Sequence, residues 1–191
     1  KTRRLKINLA LTGIDILVVR LFFGAAAVGA AQFAGERGWG LFNYLQWPEG
    51  LEIFLCVVFL DLMIYIQHVV VHMIPFFWRF HIVHHSDLDL DVSSGLRFHP
   101  IEILGSMLFK IGLIFALGPS AIAVLIFEAI LNGMALFSHS NITLPESLDR
   151  LLRYVIVTPD MHRIHHSVEK RETNSNYGCN LSIWDRALGT Y

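Results

Sequence analysis

Residues 68–85 read HVVVHMIPFFWRFHIVHH, and five of these side chains are imidazoles: His68, His72, His81, His84 and His85. The first two are spaced i, i+4 and the last three i, i+3, i+4, so a helix presents each set on one face. A second trio, HRIHH, repeats that spacing at His162, His165 and His166. Imidazole is the commonest transition-metal ligand in proteins, and a helix face presents it without unusual backbone. A lone histidine on an apolar face is ordinarily a hydrogen-bonded core residue, and tag-like runs are contiguous and sit in polar segments. Neither description fits eight histidines recurring at helical spacing beside apolar stretches. Eight ligands in three clusters suffice for two metals, so the spacing predicts a dinuclear site. His99 and His139 also flank apolar segments and are expected in the same cluster.

Those apolar stretches set the class. The 191 residues are 54% hydrophobic and 16% charged, against about 45–50% and about 25% in soluble domains. A net charge of −1 gives nucleic acid no electrostatic footing. Cys56 and Cys179 lie in unrelated contexts, which fits a reducing compartment without a disulfide framework. The chain starts at Lys1 without methionine, and both ends are expected to be cut from a longer protein.

Taken in order, a basic lead (Lys1, Arg3, Arg4, Lys6) opens an apolar run from Ile7 to Phe33. About 20 residues cross a bilayer core, so this run is expected to be a first span, interrupted by Asp15 and Arg20. Its small residues, Gly24 to Ala31, suit close helix packing. Gly35, Gly38 and Gly40 with Trp39 and Trp47 read as an interfacial loop. Leu51 to Val71 is a second span, along which Asp61, Tyr65, His68 and His72 form one stripe. Asp61 is expected either to pair with Arg20 or Tyr65 or to support a ligand ring.

Pro75 ends or kinks that helix, and Phe76, Phe77, Trp78 and Phe80 form an aromatic belt. Asp87, Asp89 and Asp91 alternate with apolar residues and are expected in solvent or behind the ligands. Ile101 to Phe137 splits at Gly118-Pro119-Ser120 into two short spans, a helical hairpin. Lys110 and Glu128 lie at matching depths in it and are predicted to pair, although Glu128 could instead face a substrate channel. Thr143 to Val157 reads as an amphipathic interfacial helix. Thr158-Pro159-Asp160 then starts a fresh helix that carries the last trio. The tail, Asn174 to Tyr191, is expected to fold over the site because Trp184 should not be left in water.

Charge sets the orientation. Apart from Arg37, the cations outside the spans cluster on the side of the basic lead, which places every histidine at the cytoplasmic face. The expected architecture is all-α: an integral membrane helical bundle of about four spanning or half-spanning helices with a His-rich cytoplasmic cap. One domain is expected over residues 1–191, with the first span and loop in 1–50 and the catalytic part in 51–191.

The pattern HxxxH, HxxHH, HxxHH, the phrases RFHPIE (Arg97–Glu102) and FSHSN (Phe137–Asn141), and the closing NSNYGCNLSIWDRALGTY resemble the fatty acid hydroxylase and sterol desaturase superfamily. The likeness covers most of Leu51 to Tyr191. It implies a membrane-bound non-haem di-iron enzyme that hydroxylates or desaturates a lipid C–H bond. It further implies two iron ions (zinc can replace them in a recombinant preparation), O2, a fatty acyl or sterol substrate, and a separate electron donor. Extra histidines complete the metal set in such proteins, which again points to His99 and His139. The chemistry agrees, because no side chain abstracts hydrogen from an unactivated C–H bond and a redox metal must carry the step. Asp61, Asp160 and Glu172 are the acids expected to orient ligand rings. The rival readings are a membrane zinc hydrolase, for which the HExxH motif is lacking, and a metal transporter, whose histidines should sit nearer mid-membrane.

Overall fold

The computed structural model describes residues 2–23, 26–45 and 47–191, apart from the side chains of Arg20 and Phe23. Its helices are α1 (Thr2–Phe23), α2 (Ala26–Arg37), α3 (Leu41–Leu45), α4 (Glu49–Met73) and α5 (Pro75–His85). They continue as α6 (Pro100–Leu117), α7 (Ala121–Ser138), α8 (Glu146–Leu152), α9 (Pro159–His165), α10 (Lys170–Thr173) and α11 (Ile183–Leu188). Three of them, α4, α6 and α7, are long and apolar enough to cross a membrane, and the chain is an integral membrane protein.

The boundaries have local causes. Glu49 and Glu52 sit in the first turn of α4, where the helix dipole favours an acid. α4 stops at Ile74, which is extended because a following proline disfavours the helical region, and Pro75 then opens α5. The hairpin turn forms where expected: Gly118 ends α6 in the left-handed conformation, and the Ser120 hydroxyl caps α7 by accepting from the Ala123 amide. Gly118 is obligatory, because a Cβ there would lie 2.0 Å from the Trp39 carbonyl oxygen. Trp39, Gly40 and Asn43, around the start of α3, are thereby seated on the hairpin turn.

α4 and α7 share a core of Cys56, Leu60, Ile64, Ala123 and Phe127, joined by Leu117 at the end of α6. α2 lays Ala27 and Ala31 against Ile114 and Val124, so the small residues of the first apolar run do allow close packing. That run is not one continuous helix, however. It divides into α1 and α2, with Ala26 at φ +53, a left-handed residue that cannot propagate a right-handed helix. The expected small-residue stretch includes Gly24 and Ala25, which lie outside the described residues. α1 is also partly polar: Asn8 donates to Asp87 and Ser93, both at 2.9 Å, and Arg4 pairs with Asp87 at 2.8 Å and with Asp91. Arg4 of the basic lead therefore sits at the histidine end of the bundle, and Trp39 at the hairpin end.

Asp87 and Asp91 hold α1 rather than a metal. Burial would raise the Asp87 carboxyl, but hydrogen bonds from Ser94, Asn8 and Arg4 outweigh it and leave the group below the usual carboxylate range. The amphipathic segment is shorter than expected, with only Glu146–Leu152 helical. Pro145 opens it and the chain turns out of the helix at Arg153, while Leu151 and Val155 stay exposed.

Lys110 and Glu128 do pair, at 2.6 Å between α6 and α7, with the lysine buried. Changing either one alone to leucine strands the other charge and is expected to destabilise the protein by about 3 kcal/mol. The double change to leucine should recover much of that, as read from thermal unfolding in detergent.

Candidate metal centre

Nine of the ten histidines converge in two buried groups. His68, His72, His81, His85 and His165 form one, and His84, His139, His162 and His166 the other; in each the candidate ligand atoms lie within 4.8 Å of one another. α4 supplies His68 and His72, α5 supplies His81, His84 and His85, and His139 is the C-cap of α7. α9 supplies His162 and His165 and ends on His166; it is set by Thr158, whose hydroxyl accepts from the Met161 amide, and by Pro159 in the first turn.

The trios divide by a simple rule. The i, i+4 pair His81/His85 serves the first group and the i+3 residue His84 the second. In the other trio the pair His162/His166 serves the second group while His165 crosses to the first. Each short helix thus contributes to both groups, which holds them side by side: His85 stacks on His166 at 4.2 Å between ring centroids.

The ring nitrogens show what the groups can hold. A neutral imidazole has one N–H and one lone pair. Nδ1 of His68 lies 2.7 Å from the Tyr177 carbonyl, and Nδ1 of His165 lies 2.8 Å from that of Ser175. His81 Nδ1 is 2.5 Å from the Glu102 carboxylate, His84 Nδ1 3.1 Å from the Arg97 carbonyl, and His139 Nδ1 2.7 Å from the Ala135 carbonyl. Oxygens accept, so all five Nδ1 atoms donate and the five Nε2 atoms carry bare lone pairs. Yet His68 Nε2 stands 3.2 Å from His81 Nε2 and 3.1 Å from His165 Nε2. His84 Nε2 stands 3.1 Å from His139 Nε2. With the rings neutral no hydrogen lies between these pairs, and a cation would satisfy the lone pairs that face one another. Nitrogens held about 2 Å from one ion lie about 3 Å apart at right or tetrahedral angles.

Two further features fit. Both ring nitrogens of His72 and of His85, and Nδ1 of His162 and His166, are buried without a hydrogen-bond partner. Burial above all, with neighbouring rings adding to it, holds His84, His162, His165 and His166 well below the usual imidazole range. Neutral rings are the form that binds metal.

His99 is not brought in. Its Nδ1 accepts from the Ile101 amide at 3.2 Å, capping α6, and its ring lies against Phe80. The expected cluster of ten is therefore nine. The acids also differ from expectation. Asp61 accepts from Trp184 Nε1 at 2.7 Å and so anchors the tail; Asp160 pairs with Arg163, and Glu172 is exposed. The expected Arg20 partner of Asp61 has its side chain outside the described residues, and Tyr65 bonds to Thr190 instead. The acid that meets a ring of the two histidine groups is Glu102, at His81, which sequence reasoning quoted within RFHPIE but gave no role. Its signal was its place in the first turn of α6 directly after His99-Pro100. Replacing Glu102 by alanine is expected to weaken metal binding about 10- to 100-fold, with glutamine less harmful because it still accepts; competition with a chelator measures both.

The tail closes the site. Tyr177 is buried, and Asp185 accepts from the Tyr177 and Gly178 amides at 2.7 and 2.8 Å. Below the rings lies a cavity of about 300 Å3 whose lining includes His68, His81, His84 and His139 at one end and Lys110 and Glu128 at the other.

Residues 53–190 match the fatty acid hydroxylase family. The chain is 36% identical to an ornithine lipid hydroxylase of Rhizobium tropici over 76% of this chain and 43% of that one. It is 28% identical to the alkylglycerol monooxygenase of Homo sapiens over 95% of this chain and 40% of that one. It is 25% identical to the cholesterol 25-hydroxylase of Rattus norvegicus over 73% of this chain and 46% of that one. The chain thus spans less than half the length of each of these relatives. No solved structure matches it.

Proposed function

Because the chain belongs to the fatty acid hydroxylase family, we propose that it is the catalytic part of a membrane oxygenase holding two iron ions, one in each histidine group. It hydroxylates, or desaturates, a C–H bond of a lipid. For hydroxylation the balance is R–H + O2 + two electrons + two protons giving R–OH + H2O, so a separate donor must supply the electrons. The similarity to an ornithine lipid hydroxylase, an alkylglycerol monooxygenase and a cholesterol 25-hydroxylase supports this substrate class.

The observation that carries the reading is the set of Nε2 lone pairs about 3 Å apart on rings whose Nδ1 protons are already committed. Bound iron would supply the redox capacity to activate O2, which no side chain supplies. The chain's own residues do the rest. The Tyr177, Ser175, Arg97 and Ala135 carbonyls and the Glu102 carboxylate fix ring tautomer and orientation. The buried tail keeps bulk water from the rings, and the mainly apolar cavity receives a lipid. Residues 51–191 carry the chemistry, while 1–50 brace it. Arg4, Arg79, Arg97, Arg163 and Lys170 belong to the histidine end, so that end faces the cytoplasm.

Zinc would accept the same nitrogens. The test is metal analysis of anaerobically purified protein, followed by O2 consumption and product mass with ornithine lipid, alkylglycerol and cholesterol in turn. Two irons per chain and a lipid that gains one oxygen, or loses two hydrogens, are expected. Zinc-filled protein that hydrolyses a lipid without consuming O2 would replace this reading with the hydrolase.

A further inference from the structure

The cavity below the rings has two dissimilar boundaries. Its deep end is the Lys110–Glu128 pair, eight residues along α6 from Glu102 and therefore about 12 Å away. Hydrocarbon pressed against that pair would shut its remaining donors and acceptors away from any polar partner, so a hydrocarbon chain is disfavoured there. The other boundary is sideways. Gln67 of α4 and Ser106 of α6 stand in the cavity wall, joined by one hydrogen bond of 3.4 Å, long enough to be a weak latch.

Behind that wall lies a groove of about 340 Å3 whose lining includes Met63, Ile66, Val70, Phe76, Phe80 and Phe109. Groove and cavity share Gln67, Val71, Glu102 and Ser106 in their linings, so these side chains stand between them. The groove runs between α4 and α6, two of the helices able to cross a membrane, and Ile66, Phe76 and Ile101 at its edge are exposed. It therefore faces bilayer hydrocarbon.

We infer that this groove binds the hydrocarbon chain of the lipid substrate, which passes between Gln67 and Ser106, and that the Lys110–Glu128 pair determines this path by closing the deep end. The inference rests on the proposed function for the role of the cavity, while the groove's occupancy is measurable without turnover.

Gly105 gives the test. It lines the groove but not the cavity, and a Cβ built on it meets nothing within 4 Å. Gly105→Phe should fill the groove without disturbing the fold. The probe is hexadecylglycerol with a diazirine near the chain end, photolysed on the protein in nanodiscs and mapped by peptide mass spectrometry. Wild type should label at groove residues such as Met63 and Phe109, and excess unlabelled hexadecylglycerol should compete. Gly105→Phe should reduce that labelling about tenfold, the loss of roughly two buried methylenes. In the Lys110→Leu, Glu128→Leu background, label should also reach Leu131 in the deep cavity, and Gly105→Phe should no longer suppress labelling. Wild-type label at Leu131, groove label that is not competed, or no label overturns the inference. Should the double variant not fold, wild type and Gly105→Phe alone decide it. Competed groove labelling in a protein that oxidises no lipid would sink the proposed function and leave the chain site standing.

Discussion

His165→Ala is expected to abolish lipid oxidation and to remove most of the bound metal. His165 is the fully buried ring that crosses from the second trio to the first group, and its Nε2 stands 3.1 Å from that of His68. Removing it takes away a ligand and leaves the Ser175 carbonyl without its donor. His84→Ala should do the same to the second group, because His84 crosses in the opposite direction. His99→Ala is the contrast. It deletes a helix cap, so it should cost about 1 kcal/mol of stability with metal content unchanged. Metal per chain by mass spectrometry and turnover on the accepted lipid read all three. A fully metallated, active His165→Ala protein would remove His165 from the ligand set.

Much of this arrangement was legible in the sequence because helical spacing is a local property. HxxxH and HxxHH fix which rings share a face, and Gly118-Pro119-Ser120 fixes the hairpin, so the Lys110–Glu128 register followed from counting residues. Assigning rings to groups was not legible. The i+3 member of each trio turns to a different group from its own neighbours, and that depends on how α5 and α9 are set against α4. The nature of the first apolar run was also hidden: its hydropathy suits a span, but Asn8 and Arg4 are committed to the Asp87 loop by contacts some 80 residues distant in sequence. His99 misled for a related reason. A histidine directly before a proline-led helix satisfies the cap geometry as readily as a metal, and spacing cannot separate the two. Glu102 was overlooked because an acid in a first helical turn is sufficiently explained by the helix dipole.

Asp185→Ala is expected to damage fold and site together. Asp185 is fully buried and accepts from the Tyr177 amide, the Gly178 amide and the Thr190 hydroxyl, the last at 2.7 Å. Alanine strands these donors at about 1–3 kcal/mol each, so a loss of about 3 kcal/mol or more is expected even if water reaches one of them. The site suffers because the same turn aims a carbonyl at a ligand ring. Tyr177 donates its amide to Asp185 while its carbonyl accepts from His68 Nδ1. Two residues earlier, the Ser175 carbonyl accepts from His165 Nδ1. Letting the turn relax frees both rings of the 3.1 Å His68–His165 contact, and weakened orientation of this kind lowers metal affinity about 10- to 100-fold. Limited proteolysis and chelator competition on the metal-loaded protein separate the two effects. Wild type should resist cleavage between Asn174 and Tyr191, whereas Asp185→Ala should be cut there and lose metal to a weaker chelator. If the variant is cut but holds metal as tightly as wild type, the tail merely covers the site and the orientation of His68 and His165 comes from α4 and α9 alone.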